Sequence, residues 1–198
     1  MSIIKSYSAS EPKARVIPTN IERRPVGPND VQIAIEHCGV CHTDIHFVNN
    51  DWGLTNYPVV PGHEIVGRIT GVGSAVKNFK AGDRAAIGCL VDSCGICGNC
   101  EKGLEQYCLN GFTATYNSET SDPGGFTYGG YSTSVVAKES FVLHIPDSLT
   151  GPGIAPLLCA GITTYSPLRN WNIGPNQKVG VIGMGGLGHM GVKFARAL

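Results

Sequence analysis

Cys94, Cys97, Cys100 and Cys108 form the run Cys-x-x-Cys-x-x-Cys-x7-Cys. Four thiolates on so short a loop can close a tetrahedral shell around Zn²⁺ and leave no open position, the mark of a structural site. An iron–sulfur cluster also takes cysteine thiolates, and packing as small apolar side chains is a third reading. Zinc is preferred, because Gly95, Gly98 and Gly103 let the loop wrap an ion.

A second set of candidate ligands is dispersed: His37, Cys38, Cys41, His42, His46, His63 and Cys159. Taken singly, each reads as core packing or a hydrogen-bonded histidine. Cys38-Gly39-Val40-Cys41-His42 also fits covalent c-type haem attachment, but no export signal precedes it. A redox pair at Cys38 and Cys41 lacks the βαβ surroundings expected of one. Gly183-Met184-Gly185-Gly186-Leu187-Gly188 is a Gly-x-Gly-x-x-Gly turn. It follows the apolar run Val179–Ile182 and opens a helix at His189–Leu198, the setting in which such glycines admit a pyrophosphate to a helix N-terminus. A glycine-rich turn without a ligand is the alternative.

These groups need elements to hold them. Val31, Ile33 and Ile35 alternate with polar or small residues, the period of a half-buried strand. Further strands are predicted at Glu64–Val72, Arg84–Ile87, Tyr131–Val136 and Phe141–Ile145, with Ser118–Gly130 as a loop rich in Ser, Gly and Pro. Beyond Thr150-Gly151-Pro152-Gly153 the pattern predicts helical segments at Ile154–Leu158 and Thr163–Asn170, then a buried strand at Lys178–Ile182. The glycine turn and a helix from Gly188 follow it. Strand, glycine turn and helix open a βαβ unit. No second strand follows before Leu198, so the second domain is expected to be truncated.

Composition excludes several classes. Of 198 residues, 15 are Lys or Arg and 15 Asp or Glu, for zero formal charge. With no basic run, nucleic acid and anionic membrane surfaces are not expected partners. At 42% hydrophobic and 15% charged the chain can build a core and is not a disordered one. The uncharged stretch Ser148–Leu168 contains Pro152, Pro156 and Pro167, which argues against a membrane span. No signal peptide is visible, so a cytoplasmic location is expected; self-association stays open.

Together these motifs make the chain similar to the zinc-containing alcohol dehydrogenases of the medium-chain dehydrogenase/reductase superfamily. Gly62-His63-Glu64-x-x-Gly67-x5-Gly73 matches that family's zinc signature, and Cys41-His42-Thr43-Asp44 its first ligand turn. Val91-Asp92-Ser93-Cys94, Leu157-Leu158-Cys159-Ala160-Gly161 and Gly186-Leu187-Gly188-His189-Met190-Gly191 resemble the cinnamyl-alcohol-dehydrogenase-like, NADP-dependent aldehyde reductases. The resemblance implies a β-rich, chaperonin-10-like catalytic domain over 1–153 and the truncated start of an α/β Rossmann domain over 154–198.

It implies two zinc ions, one structural in the four-cysteine lobe and one catalytic, held by Cys41, His63 and Cys159 with Glu64 as an alternative ligand. Asp44 would orient the His63 ring. Thr43 would exchange the alcohol proton, relayed towards His46. His42 and Thr163 would contact the cofactor along with Gly183, Gly185, Gly186, Leu187 and Gly188, and Trp52 would shape the substrate pocket. Cys38 is no ligand in this mapping. The implied reaction moves a hydride between NADP(H), with NAD as the other option, and a primary alcohol/aldehyde pair. The chain alone is expected neither to bind cofactor nor to turn over; a non-catalytic zinc-binding fragment is the rival reading.

Overall fold

The computed structural model describes every residue from Met1 to Leu198. It opens on an antiparallel hairpin of β1 (Ser2–Ser8) and β2 (Ile17–Arg23). In β1 the usual pattern is inverted: Ser6 and Ser8 are buried while Ile3 and Tyr7 are exposed. The buried hydroxyls satisfy one another, with Ser6 and Ser8 Oγ lying 2.9 and 3.0 Å from Thr19 Oγ1. A face of serines carries no hydrophobic alternation, so this hairpin is silent in the sequence.

The strands that follow are β3 (Asp30–Cys38), β4 (Ile65–Val72), β5 (Arg84–Ile87), β6 (Leu90–Asp92), β7 (Thr113–Ala114), β8 (Ser134–Lys138) and β9 (Leu143–His144). The helices are α1 (His42–Asn49), α2 (Ala160–Asn170) and α3 (Gly186–Ala197). Five strands build one antiparallel sheet in the order β8-β3-β4-β5-β9. Its core face takes alternate residues, Val31 and Ile33 from β3, Ile65 and Ile69 from β4, Ile87 from β5 and Val135 from β8, all buried. Each such side chain contributes about 1.5–3 kcal/mol by leaving water. The β3–β4 register slips between Ile35 and His37. Past this bulge β3 ends at Cys38, and the chain turns into α1 with Cys41 at its N-cap.

The second half departs from the sequence pattern in several places. Lys178–Ile182 is not a strand, because a strand needs a paired neighbour and this run has none; Ile182 is fully exposed. The strand expected at Tyr131–Val136 lies at Ser134–Lys138, since Gly129–Tyr131 instead bonds to the Val60–Gly62 backbone. Only Leu143–His144 of Phe141–Ile145 is paired, after a 3₁₀ turn at Glu139–Phe141. The segment at Ile154–Leu158 is a 3₁₀ helix over Pro152–Leu158, with Pro156 inside it. The last helix begins at Gly186, not Gly188. Ile154 and Ala155 join Val66, Ala86 and Ile145 in a second core cluster, and Cys159 then caps α2. α3 packs on α2, with Tyr165 and Phe194 ring centroids 5.3 Å apart. No helix is long and apolar enough to cross a membrane.

Arg23, at the end of β2, is buried without a paired carboxylate. Its guanidinium donates to the carbonyls of Tyr128, Gly129 and Ser134 at 2.6, 2.9 and 3.0 Å, and to Ser132 Oγ at 2.9 Å. Burial lowers its pKa to about 10, so it stays charged at neutral pH. Four acceptors from one stretch thereby converge on one side chain. Arg23→Met should strip the Tyr128 carbonyl of its guanidinium donor, leave Gly129 and Ser134 to share the Ser132 hydroxyl, and cost about 1–3 kcal/mol. A urea melt should show a lower midpoint with unchanged slope, and a midpoint equal to wild type would refute the clamp.

Candidate functional site

β6 and β7 form a two-stranded ribbon, from which the chain swings out as the four-cysteine lobe. The Sγ atoms of Cys94, Cys97, Cys100 and Cys108 all lie within 4.8 Å of one another. Cys100 Sγ is 3.5 Å from Cys97 and 3.9 Å from Cys94, and all eight cysteines are free. Those separations are far beyond the roughly 2.05 Å of a disulfide. A tetrahedral zinc with Zn–S bonds of about 2.3 Å sets sulfur–sulfur edges of about 3.8 Å, so the cage has the right size. The Ile96 backbone and the Asn110 side chain hold Cys94 down at about 6, and the Leu109 N–H likewise lowers Cys97. Cys100 moves up to about 11: the Ser93 hydroxyl lowers it, but desolvation and the Cys97 sulfur outweigh that. Donors aimed at sulfur suit thiolate ligation.

A second cluster gathers distant parts of the chain: ligand atoms of Cys41, His63, Glu64 and Cys159 also lie within 4.8 Å of one another. Cys41 comes from the N-cap of α1, Cys159 from that of α2, and His63 and Glu64 from the stretch entering β4. Gly62 aims His63: its φ is +102°, and a Cβ there would meet Cys38 Sγ at 2.8 Å and the Tyr131 nitrogen at 2.9 Å. His63 and Glu64 are 4% and 2% exposed, yet His63 Nε2 and Glu64 Oε2 have no hydrogen-bond partner. An orphaned buried polar atom costs about 1–3 kcal/mol, and an ion among these groups would remove that cost. Cys41 and Cys159 Sγ are 3.9 Å apart, again the edge of a zinc tetrahedron. Two cysteines and a histidine are a donor set that zinc takes with one position left open.

Electrostatics and packing fix the histidine. Burial alone would lower its pKa, but Cys159, Asp44 and Glu64 outweigh it and raise it. Burial also raises Cys41 and Glu64, while the neighbouring Cys89 thiol leads in raising Cys159. Asp44 Oδ1 stands 3.7 Å from His63 Nδ1, which favours the proton on that nitrogen and leaves the Nε2 lone pair facing the sulfurs. Tyr116 stacks on the ring at 5.7 Å between centroids and 11° between planes.

The other candidates fall into two groups. On α1, His42 is exposed, Thr43 is half-buried, and His46 Nδ1 is 2.8 Å from Asp51 Oδ2. The His46 ring lies 4.7 Å from His42 and 4.8 Å from Trp52, which is half exposed. In the second group, Thr163 on α2 joins Val181, Leu187 and Gly188 around an open cavity of about 330 Å³. Gly183, at φ +86°, and Gly185 and Gly186 are exposed in the turn that starts α3. A Cβ on Gly188 would stand 1.8 Å from the Gly183 carbonyl oxygen, so the turn tolerates only glycine there. Cys38 lies outside both cages, its thiol 3.6 Å from the Gly39 carbonyl and pushed up to about 12 by burial. His37 is exposed on β3. Tyr116, Tyr131 and Cys89 border the second cage with no spacing to announce them; their proximity comes from the tertiary fold.

Residues 27–147 match the family model described as alcohol dehydrogenase GroES-like domain. The chain is 56% identical over 199 residues to the NADP-dependent alcohol dehydrogenase C 1 of Mycolicibacterium smegmatis, covering 100% of this chain and 57% of that protein. Identity to aldehyde reductase YahK of Escherichia coli is 54% over 198 residues, covering 98% and 55%. A cinnamyl alcohol dehydrogenase structure from Sorghum bicolor superposes with TM-score 0.95 at 44% identity, covering 99% of this chain and 56% of that one. The Helicobacter pylori CAD complexed with NADP(H) gives 0.94 at 42%, covering 98% and 56%. The chain thus spans a little over half the length of the relatives it matches. With the matched model reaching from Gly27 to Asp147, around the sheet, the four-cysteine lobe and the His63 turn, the chain belongs to the alcohol dehydrogenase GroES-like domain family.

Proposed function

We propose that this chain is the metal-binding part, with the start of the cofactor domain, of a zinc-dependent alcohol dehydrogenase or aldehyde reductase that uses NADP(H). Residues 1–153 would be the chaperonin-10-like domain and 154–198 the start of a Rossmann domain. The carrying observation is the cluster of buried Cys41 and His63 with half-buried Cys159 and an unpartnered Nε2. The names of the bacterial relatives and the NADP(H)-bound neighbour support the cofactor and the substrate pair.

Cys41, His63 and Cys159 would hold the catalytic ion, with Glu64 an alternative ligand, and Cys94, Cys97, Cys100 and Cys108 the structural one. When bound, zinc supplies Lewis acidity at the substrate oxygen and the nicotinamide supplies or accepts the hydride. The protein's own work is positional. Asp44 holds the His63 tautomer. Thr43 would pass the substrate hydroxyl proton outwards to His46, whose ring already bonds Asp51 near the surface. Trp52, against His46 and Phe47, would wall the substrate side. Gly183, Gly185, Gly186, Leu187 and Gly188 would bring backbone N–H groups to the pyrophosphate, with His42 and Thr163 beside the cofactor.

Elemental analysis tests the reading. Purified protein should carry two zinc ions per chain, Cys97→Ser and His63→Ala should each lose a different one, and no zinc, or iron in its place, would overturn it. Cys97→Ser should also lower thermal stability, since metal binding at a structural site is folding energy.

A second outcome concerns turnover. The cleft has α2 and α3 as walls, but Val179–Ile182 pairs with no strand. A dinucleotide needs a sheet for its ribose and nicotinamide, so the 198-residue chain on its own should not oxidise NADPH with an aldehyde. Robust, chelator-sensitive NADPH consumption would show that the cofactor needs no such sheet or finds it on another chain.

A further inference from the structure

Asp44 is 3% exposed, and its carboxylate ties three separate stretches of chain. Oδ2 accepts the Cys41 N–H at 3.0 Å and the Tyr131 hydroxyl at 3.1 Å; Oδ1 accepts the Gly62 N–H at 3.0 Å and faces His63 Nδ1 at 3.7 Å. The two backbone donors give each oxygen one partner. The Tyr131 hydroxyl adds a side-chain donor to Oδ2 at 3.1 Å, from a third stretch of chain.

We propose that the Tyr131 hydroxyl is a positioning group for the His63 imidazole: it holds the Asp44 carboxylate in the plane that turns Oδ1 towards Nδ1. The proposal rests on reading Cys41, His63 and Cys159 as a metal site. Its lever is stiff. The Tyr131 N–H donates to the Pro61 carbonyl at 2.9 Å, its carbonyl accepts from the Tyr7 N–H at 2.7 Å, and Gly130 N–H bonds the Gly62 carbonyl at 2.8 Å. A Cβ on Gly62 would touch the Tyr131 ring at 2.8 Å, so ring and turn are packed face to face. Arg23 fixes the carbonyls two and three residues before it. The hydroxyl therefore arrives on a braced backbone, and its hydrogen bond transmits that rigidity to the carboxylate. Without it, Oδ2 keeps one donor in a site shielded from water, and the carboxylate can tilt. The stacked Tyr116 would keep the imidazole in place but not choose which nitrogen carries the proton.

Tyr131→Phe removes one oxygen and leaves the ring. Zinc-loaded wild type and variant are challenged with a chromophoric chelator, His63→Ala identifying the kinetic phase of each ion. Loss of an outer partner of a metal-bound histidine typically costs 10–100-fold. Tyr131 acts one contact further out, through Asp44, so the His63 phase should accelerate about 3-fold or more while the lobe phase keeps its wild-type rate, and the lost hydrogen bond should lower the thermal midpoint only modestly. Equal rates in the two proteins overturn the proposal, as does parallel acceleration of both phases, which marks general loosening. The metal-free protein gives an independent answer: two-bond ¹H–¹⁵N spectra should show His63 as the Nδ1–H tautomer in wild type and as a mixture in Tyr131→Phe. An unchanged tautomer there overturns the proposal too. Wild type that binds no second zinc, with the tautomer shift present, would instead remove the metal reading and leave the positioning role standing.

Discussion

The Asp44 carboxylate is the point on which the site converges. A buried charge is costly unless each lone pair finds a donor, and here the donors come from the start of α1, from the turn before His63 and from the segment before β8. Each of those stretches leads directly into a candidate ligand or a strand of the main sheet. The carboxylate is satisfied only when all three are docked, so its desolvation penalty ties the geometry of the second cage to the docking of those segments.

The two cages differ in how they are assembled. The lobe cysteines lie within a single short excursion, and their spacing can be read directly. Cys41, His63 and Cys159 are 22 to 118 positions apart in the chain, and nothing in their spacing selects them over Cys38 or His37. It took resemblance to a known zinc signature to pick them out. The structure supplies the physical reason: the β3 bulge and the positive φ of Gly62 turn Cys41 and His63 inwards, while Cys38 stays behind at the strand end.

Legibility elsewhere followed the same divide between local and tertiary causes. Alternating Val31, Ile33 and Ile35, and Arg84–Ile87, announce strands because apolar side chains mark the buried face. Serines mark it in β1, where polar groups cancel in pairs, and the pattern is invisible. The apolar run at Val179–Ile182 illustrates the converse: composition favours a strand, but pairing makes one. Tyr116 and Tyr131 matter only because the sheet carries them to His63 and Asp44, and no window of sequence contains that information.

The four-cysteine lobe leaves the body after Asp92 and returns at Thr113, which is paired with it. Its two ends are therefore neighbours, held by the β6–β7 ribbon whether or not the loop between them is ordered. A detour with abutting ends can lengthen, shorten or be exchanged at an entropic cost that grows only with the logarithm of its length. The lobe is in effect a detachable module, able to diverge in outline while the sheet and the His63 site keep their geometry.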